Sequence, residues 1–305
     1  MNTAPLTGLV AATFTPFTPE NTVNFDLIPR LTDHLANNGV AGLYICGSTG
    51  EAPSLSIDER IAVTEAYLRA NDNRMRAVVH IGHTCLEDAC RLGSHAASAG
   101  ADAISAISPY YFKPPDVASL VGFLKVAAAS APELPFYYYH IPALTGVAIN
   151  PVDFLRQAGE EIPNLRGIKF TDSDLSLLNA CQEVADGRFD VLFGRDEMLL
   201  AGLASGVLGA VGSTYNLAPA LYGKILRAFA AGNLPEARDL QRKSVRMIRA
   251  LIENGGEAAI KYPLHRFGLD CGPRRLPMKQ LNPAEKQRID TLLDAMEFDS
   301  WAIER

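Results

Sequence analysis

Several features that mark other classes of protein are missing from this 305-residue chain. No stretch approaches the roughly 18 consecutive apolar residues of a membrane span. The first five residues, MNTAP, have neither the basic start nor the apolar centre of a signal peptide. There is no basic run and the net charge is -6, which argues against nucleic acid and membrane surfaces as partners. We therefore expect a cytoplasmic protein that binds neither.

Cysteine is also scarce, with five residues scattered along the sequence: Cys46, Cys85, Cys90, Cys181 and Cys271. An odd and dispersed set favours reduced, mostly buried thiols over a disulfide framework. Only Cys46 lies near a motif. Because no histidine or asparagine can be placed beside it, a small buried side chain is the preferred interpretation over a nucleophile.

One pair of residues hints at a metal, namely His80 and His83, at the end of a predicted strand. A zinc site needs further ligands at a recognised spacing, and Cys85, Glu87 and Asp88 do not supply one. Packing or surface roles are favoured for both histidines. We predict no metal.

Runs of strand-like residues alternate with helical patterns from the start of the chain to about residue 217. This alternation predicts a parallel sheet built of strand-helix units, and eight such units predict an α/β fold of the TIM (β/α)8 barrel type. The predicted strands are Gly8 to Phe14, Ala41 to Ile45, Ala77 to Ile81, Ala103 to Ile107, Phe136 to Tyr139, Leu165 to Phe170, Asp190 to Phe193 and Leu208 to Gly212. Ser56 followed by Glu59 has the spacing of a capping box at a helix start.

After Ala218 and Pro219 the strand signal stops and helix-forming residues dominate. Helices are predicted over residues 221–231, 235–254 and 283–296. We expect a TIM barrel catalytic domain over residues 1–230 and a C-terminal helical extension over residues 231–305, packed on the barrel.

Lys169 near the end of the apolar run LRGIKF is the most informative single residue. Taken alone it favours a lysine that snorkels from a strand end, but a buried amine used for chemistry is the alternative. Two other segments support that alternative. Gly47 to Glu51, GSTGE, follows a strand and offers amide and hydroxyl donors to an anion, and Tyr139 closes an aromatic strand that Pro142 interrupts.

These three segments, in this order, resemble the signature stretches of the pyruvate-dependent class I aldolases. Residues 134–147, 193–197, 212–216 and 273–277 further resemble the branch of that family that cleaves sialic acids. The resemblance implies a carbon-carbon lyase that performs a reversible retro-aldol reaction through a lysine Schiff base. It implies a keto-deoxy sugar acid and pyruvate as small-molecule partners, neither metal nor organic cofactor, and self-association as a homotetramer.

Individual roles follow from the resemblance and agree with the barrel, whose strands carry active-site residues at their C-terminal ends. Lys169 would form the imine, Tyr139 would transfer the proton, and Ser48 would assist that transfer. The segment of Tyr111 resembles one that reaches a neighbouring subunit's site, although some members of the lyase branch lack this tyrosine. The substrate-binding residues implied are Ser48, Thr49, Thr171, Gly194, Asp196, Glu197 and Ser213. Asp196 and Glu197 also open a predicted helix, where acidic groups are favourable in their own right.

Three other functions remain open from the sequence. A sibling enzyme could act on another 2-keto-3-deoxy acid. Dihydrodipicolinate synthase needs an arginine where this chain has Leu144, which disfavours that sibling. A catalytically silent binding or regulatory barrel would have lost Lys169 or Tyr139, and both are present.

Overall fold

Eight parallel strands close into one barrel in the computed structural model, which describes residues 4–304. The strands are β1 Gly8–Ala12, β2 Gly42–Ile45, β3 Arg76–His80, β4 Ala103–Ile107, β5 Phe136–His140, β6 Leu165–Phe170, β7 Asp190–Phe193 and β8 Gly209–Gly212. Each strand pairs with the next, and β8 pairs with β1. The predicted TIM barrel is therefore confirmed.

Helices connect the strands and continue after the last of them. The α-helices are α1 Ile28–Asn37, α2 Ile57–Asn71, α3 Leu86–Ser98, α4 Val117–Ala129, α5 Pro142–Thr145, α6 Pro151–Glu161, α7 Leu175–Glu183, α8 Leu199–Ala204, α9 Pro219–Ala230, α10 Leu234–Gly255 and α11 Pro283–Ala295. Short 3-10 helices cover Phe25–Leu27, Ala52–Ser54, Val184–Gly187, Asp196–Met198, Thr214–Asn216, Gly256–Ala259, Tyr262–Phe267 and Phe298–Ser300. The predicted capping box of Ser56 and Glu59 starts α2. Among the described residues, no helix is both long and apolar enough to cross a bilayer.

The first strand ends two residues earlier than predicted, at Ala12 instead of Phe14. The carbonyl of Ala12 accepts a hydrogen bond from the side-chain amide of Asn216, at 2.7 Å. The side chain of Asn216 thus satisfies the last carbonyl of β1, at the point where the strand ends. The sequence around Ala12 gives no sign of this partner, which lies 204 residues further along the chain.

Alternation along β5 and β6 decides which side chains face the barrel interior. Tyr139 and Lys169 are partners in the register of the two strands, and both point inward. Each is the penultimate residue of its strand, because β5 continues to His140 and β6 to Phe170. The predicted end of β5 at Tyr139 was therefore wrong by one residue, whereas the predicted end of β6 at Phe170 is confirmed. The terminal residues face outward, where the His140 and Phe170 rings stack at 5.5 Å.

A buried ionic cluster joins the GSTGE segment to the helices that follow the barrel. Glu51 Oε1 lies 3.0 Å from Lys261 Nζ, and the two side chains are 0% and 2% exposed. Arg274 Nη1 lies 3.6 Å from the same oxygen, and the backbone N–H of Arg275 donates to Glu51 Oε2 at 2.9 Å. Removing one partner of such a buried pair typically costs about 3–5 kcal/mol. Glu51 therefore anchors the turn after β2 to the C-terminal extension.

Candidate active site

A cavity of about 520 Å³ opens at the C-terminal end of the barrel. Nine of the ten residues singled out from the sequence line it: Ser48, Thr49, Tyr139, Lys169, Thr171, Gly194, Asp196, Glu197 and Ser213. They come from the ends of five strands and the turns that follow. The fold thus brings together residues that are up to 165 positions apart.

Lys169 is 4% exposed and lies at the centre of this group. Its Nζ is 4.0 Å from the ring centroid of Tyr44 and 3.9 Å from that of Tyr139. Burial disfavours the ammonium form and lowers the pKa of Lys169 to about 7, with the Asp196 carboxylate opposing the shift. A lysine with its ordinary pKa of about 10.4 would be neutral, and so nucleophilic, in only about one molecule in 2,500 at pH 7. The site therefore supplies a neutral amine near physiological pH.

The pH dependence of imine formation should report this shift. Only the neutral amine attacks a ketone, so the rate of imine formation with pyruvate, measured with enough cyanoborohydride that reduction is not limiting, should rise with pH and reach half its maximum near 7. Asp196→Asn removes the charge that raises the pKa of Lys169, so this variant should reach its half-maximum at a lower pH. A half-maximum near 10 would show that Lys169 titrates like an exposed lysine.

The turn after β2 brings hydroxyl groups to one side of Lys169. A side chain at Gly47 would place its Cβ 2.8 Å from the Tyr44 ring, so only glycine lets the turn pass this close to the barrel interior. The hydroxyls of Thr49 and Ser213 lie 2.6 Å apart and form a hydrogen bond. This bond ties the turn after β2 to the residue after β8, and both hydroxyls face the cavity.

Tyr139 contributes its phenol to the same space. Burial raises the pKa of Tyr139 to about 12, while the neighbouring hydroxyls of Ser48 and Thr171 lower it and Asp196 raises it. The phenol is therefore protonated near neutral pH. It is equipped to donate a proton, or to pass one along to Ser48.

The loop after β7 carries two carboxylates with different surroundings. Asp196 is buried and accepts hydrogen bonds from the Thr214 N–H at 2.7 Å and the Thr214 hydroxyl at 2.6 Å. Burial raises its pKa to about 6. Glu197 is partly exposed, and its Oε1 pairs with Arg195 Nε at 3.2 Å. Both residues are at the start of the 3-10 helix that precedes α8. Their position therefore also agrees with the alternative that they are acidic groups at a helix start.

Two glycines at strand ends make room for these groups. A Cβ on Gly194 would lie 1.9 Å from Thr171 Oγ1, and one on Gly212 would lie 2.2 Å from Asp196 Oδ1. Neither space can hold a side chain as the site is built. Gly194 was predicted to be a site residue, whereas Gly212 was not singled out.

Tyr111 is the one predicted site residue that lies outside the cavity. Its side chain is 77% exposed, and its ring meets the edge of Phe112 at 5.0 Å. Within one chain it is therefore not brought to Lys169.

The histidines considered for metal binding are separated by the fold. His80 is buried inside the barrel, while His83 lies at the surface beside the start of α3. Possible donor atoms of His83, Cys85 and Asp88 lie within 4.8 Å of one another, a grouping that the spacing did not predict. The backbone N–H of Cys85 donates to His83 Nδ1 at 3.0 Å, so this nitrogen already accepts a hydrogen bond at the start of α3. All five cysteines are free thiols.

Other residues of the site were missed in the sequence. Tyr44 could have been found, because strict alternation along β2 places it on the inward face beside Lys169. Most of the contribution of the C-terminal extension could not, since only residues 273–277 resemble a known segment there and no role was assigned to them. Residues of the extension that line the cavity are Ile248, Ile252, Glu257, Ile260, Arg274 and Met278.

Comparisons with known proteins agree with this geometry. The sequence profile of the dihydrodipicolinate synthetase family matches residues 5–296. An N-acetylneuraminate lyase of Danio rerio is 40% identical over 289 residues, covering 93% of this chain and 94% of the relative. N-acetylneuraminate lyase B of Xenopus laevis is 46% identical over 239 residues, covering 77% and 89%. The solved structure of Proteus mirabilis N-acetylneuraminate lyase has a TM-score of 0.94 at 39% identity, covering 97% of this chain and 100% of that one.

Proposed function

The chain belongs to the dihydrodipicolinate synthetase family, and from that premise we propose that it is an N-acetylneuraminate lyase. The reaction is the reversible cleavage of N-acetylneuraminate to N-acetylmannosamine and pyruvate. Curated lyases with identities of 40% and 46% support this function. The observation that carries it is the buried Lys169 amine, with its pKa lowered to about 7, inside a cavity lined by Tyr139 and Ser48.

The proposed chemistry begins with the neutral amine of Lys169. Nζ adds to the C2 ketone of the open-chain substrate, and loss of water leaves a protonated imine. The imine withdraws the electron pair of the bond between C3 and C4 as the C4 hydroxyl loses its proton. This step releases the aldehyde and leaves an enamine. Proton uptake at C3 and hydrolysis then free pyruvate and restore the amine.

Tyr139 is proposed to handle the proton of the C4 hydroxyl. Its raised pKa keeps the phenol neutral, so it cannot act as a standing base. It accepts the hydroxyl proton while passing its own toward Ser48 and the substrate carboxylate. In the condensation direction the same phenol donates directly to the aldehyde oxygen.

The remaining cavity residues are proposed to bind the substrate. Ser48, Thr49 and nearby backbone amides would hold the pyruvyl carboxylate at the turn after β2. The second oxygen of Glu197, with Thr171, Asp196, Ser213 and the backbone at Gly194, would receive the hydroxyls of the sugar. Arg195 offsets the charge of Glu197 by pairing with its Oε1, and Glu197 still lines the cavity.

Substrate choice tests this assignment. Leu144 lines the cavity and cannot pair with a second carboxylate, so pyruvate should condense much faster with N-acetylmannosamine than with aspartate semialdehyde. Glu197→Ala should weaken the sugar reaction more than it weakens imine formation with pyruvate, whereas Glu253→Ala, on the exposed face of α10, should change neither. Leu144→Arg should narrow the gap between the two aldehydes.

Pyruvate release from a panel of 2-keto-3-deoxy acids separates the sibling enzymes. The proposal requires N-acetylneuraminate to be the best substrate of the panel. A better rate with another keto-deoxy acid, or with the semialdehyde in condensation, would reassign the substrate while leaving the imine chemistry intact. No pyruvate release from any of them would indicate a silent barrel.

We further propose that the chain assembles as a homotetramer and that Tyr111 completes the site of a neighbouring copy. The exposed aromatic pair supports this, with Tyr111 77% and Phe112 86% exposed, because large exposed apolar patches usually mark interfaces. Light scattering should give about four times the chain mass of 32.9 kDa, and a fully active monomer would contradict the idea. A cytoplasmic location is proposed as well, supported by the five free thiols.

A further inference from the structure

His80 is a buried polar side chain next to the site that the reaction described above does not use. Alternation along β3 places it inside the barrel, 4% exposed. Its ring centroid lies 6.0 Å from that of Tyr44 and 5.9 Å from that of Tyr139, with the Tyr139 contact edge-on. His80 therefore packs against both aromatic rings that contact Lys169.

The two ring nitrogens of His80 make no well-formed hydrogen bond within the described residues. The Cys46 carbonyl comes near enough to raise the pKa of the imidazole, but burial, Arg60 and Lys169 lower it much more. The ring is therefore neutral, with one donor and one acceptor nitrogen. Leaving a buried polar group without a hydrogen-bond partner is unfavourable, so the imidazole of His80 requires a partner.

A small cavity beside the ring can supply that partner. The volume within which the centre of a water molecule can lie is about 20 Å³. The residues that line the cavity include His80, Ser48, Arg60 and Gly82. A water needs about 10–15 Å³ by this measure and two or more polar neighbours. A Cβ on Gly82 would lie 2.8 Å from His80 Nε2, so this nitrogen faces a residue of the cavity wall.

Ser48 forms part of the wall between this small cavity and the large one around Lys169. Its hydroxyl also lies near enough to Tyr139 to lower the pKa of that phenol. The two terminal nitrogens of the Arg60 guanidinium donate to the carbonyls of His80 at 2.6 Å and Gly82 at 3.0 Å, and no hydrogen bond joins Arg60 to Ser48 among the described residues. The order of groups is therefore His80, the small cavity, Ser48 and Tyr139.

We propose that His80 is a positioning residue that holds the Ser48 hydroxyl, through one water molecule in the small cavity, in the orientation that passes a proton to and from Tyr139. The inference rests on the proposed lyase function. His80 touches neither the substrate nor the reacting atoms. Its effect falls on carbon-carbon cleavage, where Tyr139 transfers a proton, and leaves the attack of Lys169 on the ketone unchanged.

A matched pair of substitutions tests the polar role of His80. His80→Leu keeps an apolar side chain of moderate size and loses both nitrogens, so it should lower kcat tenfold or more with KM nearly unchanged. Trapping of pyruvate on Lys169 should stay within about threefold of the parent protein. His80→Asn keeps a donor and an acceptor and should recover most of the lost turnover. If His80→Leu does not fold, His80→Phe, which keeps a ring against Tyr44 and Tyr139, replaces it.

A double-mutant cycle with Ser48→Ala tests the route of the effect, since groups that act through each other give non-additive losses. Adding His80→Leu to Ser48→Ala should lower kcat by less than twofold. The proposal is overturned by additive losses, by an unchanged kcat in His80→Leu, or by an equal fall in imine trapping. A crystal structure that shows ordered water elsewhere in the barrel but none between His80 and Ser48 also overturns it. If the parent protein itself fails to trap pyruvate on Lys169, the proposed function is what fails.

Discussion

Lys169→Met should lower pyruvate release from N-acetylneuraminate by about a million-fold, the loss seen when a covalent nucleophile is removed from a serine protease. Methionine fills a similar volume and tolerates a buried apolar environment. The two rings that contact Nζ, those of Tyr44 and Tyr139, would keep their packing. The variant should therefore fold normally, and its thermal unfolding should match that of the parent protein or exceed it. Turnover measured with coupled lactate dehydrogenase gives the result.

The control for this substitution is Lys125→Met on α4. Lys125 is about half exposed and pairs with Glu161 at 3.4 Å, and it lies outside the cavity that holds Lys169. Its removal should leave turnover within about twofold, as exposed ion pairs contribute at most about 1 kcal/mol. Residual turnover in Lys169→Met above one thousandth of the parent rate would show that another group carries the reaction.

Tyr139→Phe should lower turnover by roughly 10²–10⁴-fold, the range for a positioned acid-base group. The substitution removes only the phenolic oxygen and keeps the ring that packs on Lys169. Imine formation should persist, because attack on the ketone precedes the proton transfer assigned to Tyr139. Single-turnover kinetics should therefore show normal trapping of pyruvate together with slow release of the aldehyde.

Tyr138→Phe provides the matched comparison one residue earlier in the same strand. Tyr138 is equally buried but points out of the barrel, where its ring packs on Phe154 at 4.3 Å. Removal of the Tyr138 hydroxyl should leave kcat nearly unchanged. Equal losses in the two variants would attribute the effect to disturbance of β5 and remove the proton-transfer role.

The architecture could be predicted largely from the sequence, because parallel strands buried on both faces leave clear apolar runs. The bounds of β4, β6 and β7 match the prediction. The end of β5 was harder to predict, since His140 extends this strand one residue past Tyr139. The alternation of side chains places Tyr139 and Lys169 inside the barrel whichever residue ends each strand. Along β2 the same alternation places Tyr44 inside the barrel as well.

Several features of the site depend on contacts that local sequence cannot reveal. Glu51 meets Lys261, 210 residues later, in a buried ion pair, and nothing near either residue signals the other. Arg195 was passed over, although it partners Glu197. His80 was interpreted as a packing or surface residue. Its ring nitrogens without hydrogen-bond partners and the small cavity beside them are features of the folded barrel alone. Such features arise where side chains from separate strands converge.

The most direct test of the account is to treat the protein with borohydride in the presence of pyruvate and map the product by peptide mass spectrometry. The proposed mechanism predicts irreversible inactivation, with one reduced pyruvyl group on the peptide that contains Lys169 and none in Lys169→Met. Inactivation should follow the extent of labelling. An adduct on another lysine, or full turnover without any adduct at Lys169, would contradict the Schiff-base mechanism and with it the central claim.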